Sequence, residues 1–343
     1  MNNTCELCES DDCMHFVKAD AKTNAQLNIL YCSQCGLVQQ RDVPSDHELK
    51  IYYAHNYRQD YKGAYSPKPK YVYRAGLAAL NRIKFLESHI SLSHQTLLDI
   101  GAGGGEFVYM ANKQGLNARG IEPNIGYSEF SQKQYGVEVQ TAMLSDLKDA
   151  TADILTMFHV FEHMAKPQDV IRKLYASVKD NGYLFIEVPN ILQADASPHN
   201  IYFKAHLFYY SRFTLNSSAS QYFDLVKVED SGNLKMLLRK KSVPSKALTL
   251  PTVEDIQFTK SRLEKKGWLE YLLIGGGIIK PFQRIEKMVF EALIKSTSPK
   301  QILDHLYNQR HDALKIFSRR NKQRLAVWSG AGGIGGLCCE ALC

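Results

Sequence analysis

Residues Thr96–Asn124 read TLLDIGAGGGEFVYMANKQGLNARGIEPN. A short apolar run, Leu97, Leu98 and Ile100, encloses Asp99 and ends in a burst of glycines at 101, 103, 104 and 105. Phe107, Val108, Met110 and Ala111 then recur at helical spacing, and a second apolar run, Ala118 to Ile121, ends in Glu122. Strand, glycine turn, helix, strand and acid in this order predict a nucleotide-binding βαβ unit within a doubly wound α/β sheet.

The turn limits the ligand. Glycines let the backbone take positive φ and approach a bound molecule closely, and the helix that follows offers free N–H groups. Glu122 lies 21 residues after Gly101, the distance of an acid that accepts hydrogen bonds from a ribose diol. A dinucleotide fingerprint needs a further glycine at 106, where Glu106 stands. A pyrophosphate would meet that carboxylate at the helix N-terminus, whereas S-adenosylmethionine (SAM) has no phosphate and carries a sulfonium. The string D-I-G-A-G-G-G resembles the glycine motif of class I SAM methyltransferases. That resemblance implies SAM contacts from Asp99, Gly101, Gly103, Gly105 and Glu122.

Downstream, Val137 to Val139 is expected as a strand, and Met143, Leu144 and Asp146 suit an adenine slot. The run A-D-I-L-T-M-F-H-V-F-E-H-M (152–164) predicts a buried strand over Ile154–Phe158. His159, Glu162 and His163 leave its carboxyl end, where ligands bind in open α/β sheets. H-x-x-E-H is also an inverted zinc-protease string, but that motif needs a helix throughout and here the first His ends a strand. His159 is assigned to the SAM pocket. A helix from Pro167 to 179, a D-N-G turn at 180–182 and a strand from Tyr183 to Val188 follow. Residues 191–217 are expected as a loop entering a helix, and Phe223–Glu229 with Leu234–Arg239 as a closing hairpin.

Upstream, C-E-L-C (Cys5, Cys8) and C-S-Q-C-G (Cys32, Cys35) are two knuckles, and together they predict one tetrahedral, closed, structural zinc site. Zinc binding is worth on the order of 10 kcal/mol and can replace the core that such a short segment cannot build. Cys13 and His15 are read as bystanders. Residues 51–75 hold seven tyrosines and read as a lid or a packed linker, and 72–90 read as a helix.

The order of C-x-x-C pairs, I-Y-Y, D-I-G-A-G-G-G, H-V-F-E-H-M, F-I-E-V-P-N and H-L-F-Y-Y-S is similar to that of zinc-ribbon methyltransferases, including the C-methyltransferases of deoxysugar biosynthesis. The likeness covers residues 1–240. It implies a small polar acceptor, a nucleotide-linked sugar, and a catalytic His at His206, with His163 and Glu162 as the other proton-handling candidates. In that family a Glu precedes the His, and here Ala205 stands in its place, which leaves O-methylation open beside C-methylation.

The 343 residues carry a net charge of +7, and residues 241–343 alone carry +8. The basic excess therefore lies outside the βαβ core, and residues 1–92 sum to +1. An RNA methyltransferase using the ribbon as a clamp would place Lys/Arg and aromatics there, so nucleic acid is not the expected partner. A SAM-binding protein without catalysis is the remaining alternative. The polar, acidic start lacks a basic and apolar leader pattern, and the apolar stretch Trp268–Phe282, interrupted by Glu270 and Lys280, is too short to span a bilayer. The cysteines cluster before 36 and after 337, which points to a reducing compartment, the cytoplasm. The expected organisation is a zinc ribbon (1–50), a Tyr-rich lid and helix (51–92), a SAM-binding core (93–242), a basic helical region (243–323) and the start of an incomplete Rossmann-like unit with G-A-G-G-I-G (324–343).

Overall fold

The computed structural model describes residues 3–45, 48–49, 67–282, 285, 288 and 297–310. The tyrosines of the lid between 51 and 66 and the glycine-rich unit at 324–343 lie outside these residues.

The sheet that carries the site is built around β4 (Thr96–Ile100), which is buried on both faces, as its continuous apolar run requires. To one side lie β5 (Asn117–Glu122) and β6 (Val139–Thr141). To the other lie β7 (Ala152–Phe158), β8 (Val178–Val188), β11 (Leu234–Lys240) and β10 (Phe223–Glu229). The order is β10-β11-β8-β7-β4-β5-β6. β6, β5, β4, β7 and β8 run parallel, while β11 and β10 close the sheet antiparallel. The order reverses at β4 and β7, so a crevice opens beyond their carboxyl ends.

Helices α2 (Glu106–Lys113), α3 (Ile125–Tyr135) and α4 (Pro167–Ser177) make the crossovers. α1 (Pro69–Glu87) packs on α2, starting three residues earlier than its periodicity predicts because Pro69 serves as the first helical residue. A helical stretch at 299–310 lies on α1 so closely that a Cβ on Gly76 would stand 2.7 Å from Leu303 and Leu306. Asn124 caps α3, its side chain accepting from the Tyr127 N–H.

Two sequence expectations need correction. The D-N-G segment is not a free turn. It lies inside β8, where the register against β7 slips between Ala152 and Ile154, and Asn181 takes a φ of 61°. Residues 191–217 are not only loop and helix α5 (Arg212–Ala219), since Phe208–Tyr209 form a two-residue strand, β9.

β9 joins a second, antiparallel sheet, β1-β2-β3-β9, whose other strands are the ribbon's Cys13–Ala19, Gln26–Cys32 and Val38–Gln40. Tyr209 pairs with Val38 and Phe208 with Gln39. Cys5, Leu7, Cys32, Cys35 and Leu37 pack in one cluster with Leu155, Phe161, Ile186 and Tyr210. The ribbon and the larger sheet thus share a core. Beyond β11 come α6 (Val253–Glu264) and α7 (Trp268–Leu273). Among the described residues no helix is long and apolar enough to cross a membrane.

Candidate active site and cysteine cluster

The glycine turn runs across the carboxyl end of β4. Gly101, Gly103 and Gly105 have φ of 74°, 58° and 81°, in the left-handed region that a side chain strains. A Cβ at Gly101 would also stand 2.5 Å from Val160. Glu122, 2% exposed, accepts from the Gly103 N–H at 2.9 Å and from the Asn124 N–H at 3.3 Å. The acid at the end of β5 is therefore wired to the turn. Glu106 occupies the first turn of α2, and its carboxylate lies beside Gly104. The helix N-terminus already faces a negative charge, which would repel a pyrophosphate placed there.

Asp99 sits one layer below. It is buried, and Thr156 Oγ1 donates to it at 2.7 Å. Burial pushes its pKa up to about 7, Thr156 and the Arg82 charge pull it back, and Glu122 adds to the rise.

A cavity of about 620 Å³ opens over this turn, lined by Gly101, Gly103, Glu122, Leu144, His159 and His163 among others. Met143 and Leu144 lie on its wall. Asp146 is not among its lining residues; its carboxylate accepts from the Met143 N–H at 2.9 Å and shapes the turn instead.

A second cavity of about 210 Å³ lies beside it, lined by Asn190, Gln193, His206, Tyr209, Asn233 and Lys266 among others. The two are joined by side chains. His163, on the first, meets His206, on the second, edge to face with ring centroids 5.0 Å apart. His159 and Asn233 make a second link at 3.2 Å.

Electrostatics concentrate at this seam. His159 holds a φ of 55°, unusual for a side-chain-bearing residue and common at functional sites. Burial opposes its charge, but Glu162 and Glu187 outweigh that and raise its pKa to about 9. Burial likewise works against the charge on Glu162, yet His163, His159 and His206 hold its pKa down to about 2. Burial, then the neighbouring His163, pushes His206 down to about 3, so its imidazole is neutral at pH 7.

Glu187 was not singled out in the sequence. It is 4% exposed and takes a two-pronged bond from Arg82, at 2.9 and 3.2 Å, with His159 Nε2 at 3.2 Å. The available signal was an acid inside an otherwise apolar strand, F-I-E-V.

In the ribbon, Cys5 and Cys35 Sγ lie 3.5 Å apart and Cys8 and Cys32 Sγ 3.4 Å apart, and all four sulfurs fall within 4.8 Å of one another. Zn–S bonds of about 2.3 Å in a tetrahedron separate the sulfurs by about 3.8 Å. The Leu7 N–H points at Cys5 Sγ, 3.4 Å away. Cys13 stands on β1 outside this set, and His15 Nε2 meets Asn28 at 3.2 Å.

Residues 71–228 match the family model of a methyltransferase domain. Ubiquinone biosynthesis O-methyltransferase of Pseudomonas putida (strain W619) is 28% identical over 117 residues, 32% of this chain and 50% of that protein. The same enzyme of Coxiella burnetii (strain Dugway 5J108-111) is 30% identical over 116 residues, with the same coverage. The chain spans about half the length of these curated relatives. Among solved structures, magnesium protoporphyrin IX methyltransferase of Synechocystis PCC 6803, with bound SAH, aligns at a TM-score of 0.45 and 10% identity, over 57% of this chain and all of that one. A SAM-dependent methyltransferase of Aquifex aeolicus aligns at 0.40 and 17%, over 51% and 100%. The parallel strands and the glycine turn already described fall within residues 71–228, the part of the chain that is similar to a methyltransferase domain.

Proposed function

We propose that this chain transfers a methyl group from SAM in the larger cavity to a small polar acceptor in the smaller one, the acceptor being a nucleotide-linked sugar and the methylated atom a hydroxyl oxygen. One observation carries the reading: a cofactor-sized cavity and a smaller cavity, whose mixed lining includes Asn190, Gln193, Asn233 and Lys266, meet at His163 and His206. SAM supplies an electrophilic methyl on a sulfonium. The residues present fit it, with glycines that leave room for a backbone approach, a buried acid at ribose distance in sequence, and a helix start already occupied by Glu106.

Methyl transfer is an in-line displacement, so aligning the partners can contribute about 7–11 kcal/mol. The protein also has to stabilise the acceptor oxygen as it loses its proton. His163 lines the larger cavity and His206 the smaller, with Glu162 buried beside them, and these three are the catalytic set in this reading. Oxygen is favoured over carbon by Ala205, which removes the Glu that accompanies the His in the similar C-methyltransferases. The O-methyltransferase activity named for the curated relatives points the same way. The sugar class rests on the ordered N-terminal and core motifs.

The four cysteines hold one structural zinc in this reading, in a protein of a reducing compartment, the cytoplasm. Four thiolate ligands close the coordination sphere, so this ion takes no part in the chemistry.

The test is incubation with labelled SAM and a panel of nucleotide sugars, read by mass. One added methyl per acceptor is expected. Methylated RNA with no sugar product would overturn the acceptor class, and SAM binding without any product would favour a non-catalytic role.

A further inference from the structure

Glu162 leads beyond that reading. It is 1% exposed, and neither carboxylate oxygen has a hydrogen-bond partner among the described residues. A buried polar group without a partner calls for a cause, an unseen ion among the usual ones. What faces this one is imidazole. His163 Nε2 lies 3.8 Å away and His159 Nδ1 3.6 Å, both beyond hydrogen-bond range. His159 is nearer to Glu187, at 3.2 Å. One ligand atom each from Glu162, His163 and His206 falls within 4.8 Å of the others.

The backbone fixes all three donors. Glu162 and His163 sit on a single 3-10 turn, Phe161–His163, that follows β7. His206 comes from the loop ahead of β9. The Leu207 N–H donates to the Glu162 carbonyl at 2.8 Å and locks that loop to the turn. His163 Nδ1 lies 2.6 Å from the Ala205 carbonyl oxygen, which can only accept, so Nδ1 carries a proton and Nε2, 3.8 Å from Glu162, is the nitrogen that a metal would take in exchange for a proton. A backbone carbonyl on the remote nitrogen is the usual device that orients a metal-ligating histidine.

We propose that Glu162, His163 and His206 bind one divalent first-row transition-metal ion at the seam of the two cavities. The placement of this ion between cofactor and acceptor rests on the methyl-transfer reading. Two imidazoles and one carboxylate suit Mn²⁺, Fe²⁺, Co²⁺ or Zn²⁺, and three protein ligands leave positions open. An acceptor hydroxyl from the second cavity takes one of them. Coordination lowers the pKa of that hydroxyl as it does for bound water, and its proton passes to solvent water. The oxygen then attacks the methyl carbon, and the carbon–sulfur bond breaks with its electron pair left on sulfur. This set differs from the H-x-x-E-H string, since His206, 43 residues from His163, replaces His159.

The full chain, with its cysteine site loaded with zinc, is titrated with Mn²⁺ and the free ion followed by electron paramagnetic resonance. Mn²⁺ prefers oxygen and nitrogen to thiolate, which separates this site from the cysteines. One bound Mn²⁺ per chain is expected. Glu162→Gln and His206→Gln should each weaken it at least about tenfold, since even the loss of a ligand's outer partner costs about 10–100-fold. SAM affinity of His206→Gln, measured by calorimetry, should stay within about twofold, since the change acts on chemistry and not on cofactor binding. No binding at millimolar Mn²⁺, or binding that both variants retain, overturns the ion. So does full turnover after chelation at this site, which would leave methyl transfer standing. Variant-sensitive Mn²⁺ binding with no methylated product on any acceptor would support the ion and overturn the methyl-transfer reading instead.

Discussion

Glu122 and Asp99 show how two neighbouring carboxylates are put to different use. Glu122 spends one oxygen on the Gly103 N–H and the other on the Asn124 N–H, and an ionised carboxylate has about four lone-pair sites, so it can still accept from a ribose. Glu122→Ala removes a charged acceptor worth about 1.5–3 kcal/mol. SAM affinity by calorimetry should fall roughly 10–100-fold with the circular dichroism unchanged, and an unaltered affinity would place the ribose acid elsewhere. Asp99 binds its proton more tightly folded than unfolded, with a pKa near 7 against an ordinary carboxylate value. The folded chain therefore holds the extra proton between about pH 4 and 7, and the stability tied to this group is lost as pH rises through that window. Asp99→Asn removes the titration. Its melting temperature relative to the native chain should climb from pH 5 to pH 8; parallel curves would show that Asp99 ionises normally. Both acids could be picked out as candidates in the sequence, since Asp99 lies inside an apolar run two residues before Gly101 and Glu122 ends the next such run. Glu162 with His206 was not, since their meeting depends on a loop fold that leaves no periodic trace.

At the scale of elements, the parallel core and its closing hairpin follow from apolar runs punctuated by turn residues, and the structure keeps them within a few residues. β9 escaped because two residues, Phe208 and Tyr209, have no period to detect and sit in an aromatic stretch. The D-N-G segment looked like a turn because its local chemistry is that of a turn, and the neighbouring strand β7 absorbs it into a bulged ladder. β9 matters because the loop before it carries His206, and β3 holds that loop. Gln40 Nε2 stands 3.1, 3.0 and 2.7 Å from the carbonyl oxygens of Phe203, Lys204 and His206. Gln40→Ala leaves these carbonyls without that donor and frees the loop. A small misplacement of a reacting group can cost about 10²-fold, so kcat should drop by up to about that factor while SAM affinity and bound zinc stay as in the native chain. Unchanged turnover would mean that β9 pairing alone fixes the loop.

The whole molecule joins a cysteine-built ribbon to a methyltransferase sheet through shared structure. β9 is supplied by the larger part to the smaller sheet, and the buried sulfurs of Cys5, Cys32 and Cys35 pack in the same cluster as Phe161, Ile186 and Tyr210. Phe161 opens the turn that carries Glu162 and His163, and Tyr210 stacks on its ring at 5.2 Å. Loss of the ribbon would therefore loosen the His163–His206 side of the seam first, while the glycine turn and Glu122 lie at the ends of β4 and β5, strands that do not pair with the ribbon sheet. On the zinc reading, a structural ion would contribute on the order of 10 kcal/mol, comparable to the whole stability of a typical domain, and its removal would not remain local when the core is continuous. Cys32→Ser should purify without its equivalent of zinc, as read by metal analysis. It should melt at a lower temperature and in a broader transition, and lose turnover by more than Gln40→Ala does. SAM binding should survive better than turnover, because among the described residues β4 and β5 meet the cysteines only through the apolar packing of Leu98, Ile100 and Ile121, whereas the loop with His206 leads into β9, a strand of the ribbon's own sheet. Complete loss of metal with an unchanged melting curve would mean that the four thiols hold their geometry without an ion. Equal loss of SAM binding and turnover would mean that the two halves unfold as one unit.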